Sequence, residues 1–225
     1  MITHDRHVDG SQRPEDFPAW QTQRRRELRA LLGDLPEARP PTTRVLARER
    51  REGYALEHLE LELNGIEPVP ALLLLPDCIR TPAPAVLYMH WHGGDYDTGK
   101  NELLTGRDVL PAYAPVFAEK GIIALAIDSW CFGGRRHDME DGRRGEADMF
   151  KEMLWRGQVL FGMMLFDEWQ ALNYLCNHGN VDTRRIGTFG ISMGSTKSWR
   201  LAAIDERVRC CIDLCCLTDF DALIA

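Results

Sequence analysis

A serine stands at the centre of a Gly-x-Ser-x-Gly motif formed by Gly190, Ser192 and Gly194. The apolar run Ile186 to Phe189 before it predicts a short strand, and Thr196 to Ile204 after it predicts a helix. Between a strand and a helix, this motif forms a sharp turn that exposes the serine hydroxyl above a sheet. Glycines are needed on both sides because larger side chains would collide in the turn. The pattern therefore predicts Ser192 as a nucleophile.

A second motif follows an earlier apolar run. Ala85 to His90 predicts a buried strand, and it leads into Trp91-His92-Gly93-Gly94. Where a serine nucleophile sits in such a turn, the loop after this kind of strand supplies one backbone N–H of an oxyanion hole, and the residue after the serine supplies the other. The spacing predicts backbone donors at Met193, Gly93 and Gly94. Each donor of this kind lowers the barrier by about 3–4 kcal/mol.

The same segment holds two histidines that could suggest a metal. His90 and His92 would share a face of a strand, but no third ligand is evident nearby. We therefore expect structural imidazoles that hydrogen-bond and fix the loop, and neither a metal nor a cofactor.

Composition narrows the function further. The chain has 225 residues and a net charge of −7, which disfavours a nucleic-acid partner. The N-terminus lacks an apolar signal region, and the longest apolar runs are too short to span a bilayer. We expect a cytoplasmic protein with no membrane partner.

Seven cysteines are present, and four of them cluster as Cys210-Cys211 and Cys215-Cys216. A zinc site is disfavoured because no Cys-x-x-Cys spacing occurs and adjacent strand residues point to opposite faces. We expect these cysteines to be small hydrophobic residues of a central, buried strand.

The order of the predicted elements favours an α/β fold. Residues 15–33 predict a helix, and a proline-rich turn at 36–41 follows. We divide the chain into an N-terminal helical extension, residues 1–41, and an α/β domain, residues 42–225. The domain opens with an antiparallel meander, in which Asn64-Gly65 predicts a hairpin between strands at 54–63 and 69–75.

Further elements follow toward the Gly-x-Ser-x-Gly motif. A helix at 110–120 and a buried strand at 122–127 come next, and Asp128 at the end of that strand is expected to hold Arg135 or Arg136. Residues 137–148 predict a mobile loop, and 149–178 predict one long helix or two helices broken near Gly157 or Gly162. After the motif, residues 207–214 predict another buried strand.

From Tyr54 onward the chain resembles an α/β-hydrolase, most closely the dienelactone-hydrolase and acetyl-xylan-esterase-like branch. The matching motifs are His90-Trp91-His92-Gly93-Gly94-Asp95-Tyr96 with Gly99-Lys100, Asp128-Ser129-Trp130, Val181-Asp182 with Arg185-Ile186-Gly187, and Gly190-Ile191-Ser192-Met193-Gly194. The resemblance implies a mostly parallel central sheet flanked by helices, and Ser192 as the nucleophile of a carboxylesterase. It implies an acyl-enzyme mechanism, with a small-molecule ester as the substrate.

The sequence departs from that family after the motif. The expected order is Ser, then Asp or Glu, then His, but no histidine follows Ser192. We therefore expect the C-terminal strands of the fold to be missing. Asp213, Asp219 or Asp221 could be the acid, and an upstream histidine, His92 or His137, could be recruited as the base.

Three interpretations stay open at this stage. The chain could be a shortened form of an active esterase, an esterase with a recruited histidine, or a catalytically inactive binding remnant. A peptidase of the prolyl-oligopeptidase type is the enzymatic alternative because it shares the same turn. The last strand is expected to leave an open sheet edge, where a second copy or another partner could pair.

Overall fold

A seven-stranded mixed sheet organises the part of the chain that the computed structural model describes, residues 16–107, 110–138 and 140–216. The strands are β1 (Thr42–Arg51), β2 (Tyr54–Glu62), β3 (Val69–Pro76), β4 (Ala83–Met89), β5 (Ile123–Ile127), β6 (Val181–Ile191) and β7 (Val208–Leu214). Their order across the sheet is β1-β2-β3-β5-β4-β6-β7. The pairings from β1 to β5 are antiparallel, and those joining β5, β4, β6 and β7 are parallel. Four strands thus send their carboxyl ends to one edge, where ligands collect in such sheets.

The antiparallel meander follows the predicted alternation. Leu59, Leu61 and Leu63 are all buried on one face of the sheet. The connection from β2 to β3 is longer than a two-residue turn. Within it, the side chain of Asn64 accepts hydrogen bonds from the amides of Ile66 and Glu67. The hairpin is confirmed, and its loop is held by an Asn side chain rather than by a tight turn alone.

Six α-helices accompany the sheet in the described residues. They are α1 (Phe17–Ala30), α2 (Glu102–Thr105), α3 (Tyr113–Glu119), α4 (Gly142–Trp155), α5 (Leu160–Asn177) and α6 (Met193–Ile204). Helices α1, α5 and α6 cover one face of the sheet, and α2 and α3 cover the other. No helix among these residues combines the length and the apolar character needed to cross a membrane.

The predicted loop at 137–148 is wrong in its second half. Helix α4 begins at Gly142, and the side chain of Asp141 accepts the amide of Arg144 as an N-terminal cap. The charged composition that suggested a loop instead forms the first turns of a helix. The chain breaks before α5 at Gly157, which has a φ of +74°. Gly157 is one of the two predicted break points.

Helix α1 lies against the end of α6. The guanidinium of Arg25 donates to the carbonyl of Ala203, and that of Arg29 donates to the carbonyl of Ile204. These carbonyls belong to the last turn of α6 and have no partner within the helix. Cations at this position also interact favourably with the negative end of the helix dipole. The N-terminal helix thus completes the C-terminus of the helix that follows Ser192.

Strand β7 does not fit the prediction of a central buried strand. It forms an edge of the described sheet, and Cys210 and Cys215 are exposed. Ile212 also keeps 43% of its surface exposed. The error arose because a run of small apolar residues indicates a strand but does not say how many neighbours that strand has.

We predict that Arg25→Ala lowers the free energy of unfolding by about 1 kcal/mol, because the hydrogen bond to the carbonyl of Ala203 and a positive charge at the end of α6 are lost. Urea unfolding of the purified chain measures this. Arg26→Ala is the matched control, since Arg26 lies exposed on the same helix. Equal stability of the two variants would show that Arg25 does not stabilise the end of α6.

Candidate active site

Ser192 occupies a strained turn between β6 and α6. Its backbone has φ 53° and ψ −115°, in a region that L residues rarely adopt. A Cβ on Gly190 would collide with the carbonyl of Gly194, and a Cβ on Gly194 would collide with the carbonyl of Met89. Both flanking glycines are therefore required by close backbone approaches, as the motif predicted.

The turn is fixed from two sides. Strand β4 lies beside β6 with Met89 opposite Gly190, so the loop after β4 leaves the sheet directly next to the turn. On the other side the amide of Ser192 donates to the carbonyl of Leu214 at the end of β7, over 2.9 Å. Met193 is the first residue of α6, so its amide belongs to the first helical turn and has no acceptor within the helix.

The loop after β4 uses most of its amides internally. Trp91 donates to the carboxylate of Glu102, Gly94 donates to Nδ1 of His92, and Asp95 donates to the carbonyl of His92. The described contacts give the amides of His92 and Gly93 no acceptor in the protein. Of the two predicted loop donors, the amide of Gly93 thus has no acceptor among the described contacts, whereas the amide of Gly94 is engaged by the ring of His92.

His90 has the structural role that was expected. It is buried, its Nε2 accepts the amide of Ser129 over 3.1 Å, and its Nδ1 donates to the carbonyl of Trp91 over 2.8 Å. Burial, and next the positive charge of Lys197, lower the pKa of His90 well below its usual range. The ring is therefore neutral, which lets one nitrogen accept while the other donates.

His92 points its two nitrogens at protein groups as well. Nδ1 accepts the amide of Gly94, and Nε2 donates to Glu146 over 2.9 Å. Tyr96 donates to the same carboxylate over 2.7 Å. Burial raises the pKa of Glu146, but the bonds from His92 and Tyr96 outweigh this, so that the pKa is lowered overall. In this arrangement neither ring nitrogen is free to take a proton from Ser192.

Among the described residues, Asp213 and His137 have partners or surroundings other than the side chain of Ser192. Asp213 faces β6 opposite Gly190, and one carboxylate oxygen accepts the hydroxyl of Ser195, while the other is buried without a partner among the described residues. His137 lines a cleft with Glu67 and Trp130. Asp219 and Asp221 lie outside the described residues.

Asp128 anchors the loops around the site, although through a different partner than expected. Its carboxylate accepts the backbone amide and the ammonium of Lys100, over 2.8 and 2.7 Å, and the amide of Gly134. Arg135 binds only the backbone carbonyl of Asp128, and its charge is matched by Asp167 and Glu67. Asp128 thus holds Arg135 as expected, but through its backbone carbonyl, and its carboxylate pairs with Lys100 instead.

Sequence reasoning missed a set of fully buried charges below the site. Lys197 on α6 is 0% exposed and donates to Glu168 and to Ser129. Glu102, also buried, accepts the hydroxyl of Tyr88 besides the amide of Trp91. The available signal was a charged residue on the apolar stripe of a helix, at Lys197 and at Glu168. Among the described residues, no group of three or more potential ligands is arranged to hold a metal ion.

Comparison with known proteins now identifies the family. The family model described as "Abhydrolase family" matches residues 6–224, nearly the whole chain. The chain belongs to this family. The expected α/β-hydrolase fold, in an esterase-like branch of the superfamily, is confirmed.

One curated protein and several solved structures of the same fold resemble this chain over most of its length. YtaP of Bacillus subtilis (strain 168), provisionally named a hydrolase, is 44% identical over 204 residues, which are 90% of this chain and 66% of YtaP. A Bacteroides fragilis protein, provisionally described as an acetyl xylan esterase, superposes with a TM-score of 0.72 at 25% identity, over 88% of this chain and 53% of that one. The glucuronoyl esterase from Solibacter usitatus, at 18% identity and a TM-score of 0.56, supports the fold alone.

The chain therefore spans just under two thirds of its curated relative and about half of these solved structures. Together the comparisons show an esterase-like α/β-hydrolase.

We predict that Gly194→Ala lowers the free energy of unfolding by about 3 kcal/mol, since the new methyl group would strike the backbone of β4. Thermal and urea unfolding measure this. Gly179→Ala is the matched control, because a Cβ there meets nothing within 4 Å and is expected to change stability by less than about 0.5 kcal/mol. A Gly194→Ala protein as stable as the control would refute the close approach of α6 to β4.

Proposed function

We propose that this protein is a carboxylic ester hydrolase that works through an acyl-enzyme on Ser192. The observation that carries the proposal is the strained backbone of Ser192 between β6 and α6, with glycines where the main chain approaches most closely. Strain of this kind costs free energy and persists where a fold needs a residue in one exposed orientation. Membership of a hydrolase family and the esterase fold neighbours support the same reaction class.

In the proposed reaction, Ser192 Oγ attacks the carbonyl carbon of an ester and gives its proton to a general base. The amides of Met193 and Gly93 hold the oxyanion that forms, and the positive end of α6 favours that charge. The alcohol then leaves with a proton, and water hydrolyses the acyl group from Ser192. Both amides belong to backbone segments that the fold already holds in place, so the donors need no reorganisation when the substrate binds.

The proposed reaction needs a general base, and the contacts of the described residues leave no histidine nitrogen bonded to Ser192. Both ring nitrogens of His92 are engaged by Gly94 and Glu146, and the ring of His90 is bonded at both nitrogens as well. Recruiting His92 would break its bond to Gly94, which would at the same time release that amide toward the oxyanion. We propose that the base comes from outside the described residues, and keep His92 as the alternative within them.

For the substrate we propose a small acyl ester, with an acetyl group on a sugar as the first candidate. The solved neighbour provisionally described as an acetyl xylan esterase suggests this class. Acetylated xylose oligosaccharides and p-nitrophenyl acetate test it directly. A proline-containing peptide substrate tests the peptidase alternative, which would cleave the peptide and leave the esters intact.

We predict that a fluorophosphonate probe adds once to the 225-residue chain. Ser192 Oγ attacks phosphorus, fluoride leaves, and the intact mass rises by one phosphonyl group. Ser192→Ala is expected to show no adduct, whereas Ser198→Ala, which removes a buried hydroxyl elsewhere on α6, is expected to react like the parent chain. A folded parent chain without an adduct would contradict an activated Ser192 and favour the binding interpretation.

A further inference from the structure

Lys197 is the most unusual charge in the structure. It lies on α6, five residues after Ser192, and it is 0% exposed. Its ammonium donates to Oε1 of Glu168 over 2.7 Å and to Oγ of Ser129 over 2.5 Å. Apolar residues of similar volume often stabilise a fold as well as a buried ion pair does. The pair therefore calls for a role other than stability.

Ser129 passes the contact on to the oxyanion loop. Its hydroxyl accepts from Lys197, and its amide donates to Nε2 of His90. His90 in turn donates from Nδ1 to the carbonyl of Trp91, and Trp91 donates its amide to Glu102. One unbroken line of hydrogen bonds thus joins α6 to the loop after β4.

The charge of Lys197 suits this line. His90 must be neutral to accept from Ser129 and donate to Trp91 together, and the nearby ammonium disfavours an imidazolium, as burial also does. Lys100 and His92 act on the ring in the same direction. The line therefore fixes both the tautomer and the orientation of His90.

The bond from His90 also sets the direction of an amide. A trans peptide points its carbonyl and its N–H to opposite sides. With the carbonyl of Trp91 held by His90, the amide of His92 is directed away from that ring. The two ends of the line are the loop that carries the amides of His92 and Gly93, and the helix that begins at Met193.

We propose that Lys197, acting through Ser129 and His90, is a positioning residue that holds the oxyanion loop in place against the helix of the nucleophile. The proposal rests on the esterase function proposed above. Lys197 keeps the loop after β4 and the start of α6 at a fixed separation. This separation matters when charge develops in the transition state and much less when substrate binds.

Ser129→Ala tests this link, because it removes the hydroxyl but keeps the Lys197–Glu168 pair and the backbone amide. We expect fluorophosphonate labelling of Ser192, and kcat for p-nitrophenyl acetate, to fall at least ten-fold, with KM within two-fold and an almost unchanged melting temperature. Ser198→Ala, another buried serine-to-alanine change, is the control and is expected to keep parent rates. Parent-like rates in a folded Ser129→Ala protein would overturn the proposal.

A second variant covers failure of Ser129→Ala to fold. Lys197→Met with Glu168→Leu removes both charges together, so that no unpaired charge stays buried. If the Lys197–Glu168 pair is purely structural, the folded double variant keeps parent rates, and that result would overturn the proposal. If Lys197 positions the loop, the double variant loses activity ten-fold, as Ser129→Ala does.

Hydrogen exchange separates this proposal from the esterase proposal. If the parent chain is never labelled, the esterase function fails, and exchange of the amides at 90–94 then decides the inference. Faster exchange there in Ser129→Ala than in Ser198→Ala supports the positioning role. Equal exchange in both variants overturns it.

Discussion

The contact between the end of β4 and the start of α6 is the constraint on which the rest of the structure depends. Gly194 packs so closely on the carbonyl of Met89 that no side chain fits, and Gly190 meets the carbonyl of Gly194 in the same way. This packing forces Ser192 into its positive φ, and it brings the loop after β4 beside the serine. The turn that carries Ser192 and the loop after β4 share one backbone contact, so neither can shift alone.

Around this contact, buried polar groups hold the loops at the carboxyl edge of the sheet, in addition to the apolar packing of Tyr96 against Phe132. Lys100 and Asp128 tie the loop after β4 to the loop after β5, and Arg135 ties the latter to Asp167 on α5. Directional bonds at fixed distances can orient a peptide group, which a leucine cannot do. A site that depends on the direction of amides therefore has a reason to accept the desolvation that such charges cost.

Much of the fold was predictable from the sequence because its signals are local. The Gly-x-Ser-x-Gly motif, the alternation of Leu59, Leu61 and Leu63, and the helix ending near Gly121 each depend on a few neighbouring residues. Burial of β7 was wrong because it depends on which strand lies next to it. The start of α4 was missed because capping by Asp141 was hidden in a charged stretch that looked like a loop.

The site divides along the same line. A pentapeptide predicted the turn at Ser192 with its flanking glycines, and a short motif predicted the loop beside it. Which donors are free could not be predicted, because the engagement of Gly94 depends on the rotamer and tautomer of His92. Lys197, Glu168 and Ser129 are distant in the sequence and meet only when α5, α6 and the loop after β5 pack together.

In acyl transfer, an oxyanion hole and a general base make different contributions to the rate, and the two can be considered separately. A preorganised oxyanion hole and substrate binding retain roughly 10³–10⁴-fold catalysis when members of a triad are removed. The oxyanion donors and the base therefore contribute separable parts of the rate. In this chain the groups that orient the loop after β4 are buried, bonded and mutually constrained, whereas one buried carboxylate oxygen of Asp213 has no partner among the residues that the structure describes. An unpaired buried carboxylate oxygen is costly, and a hydrogen-bond donor from a histidine would relieve that cost. Of the acidic residues considered for the proposed site, Asp213 is thus the one whose described surroundings leave a carboxylate oxygen able to orient a base.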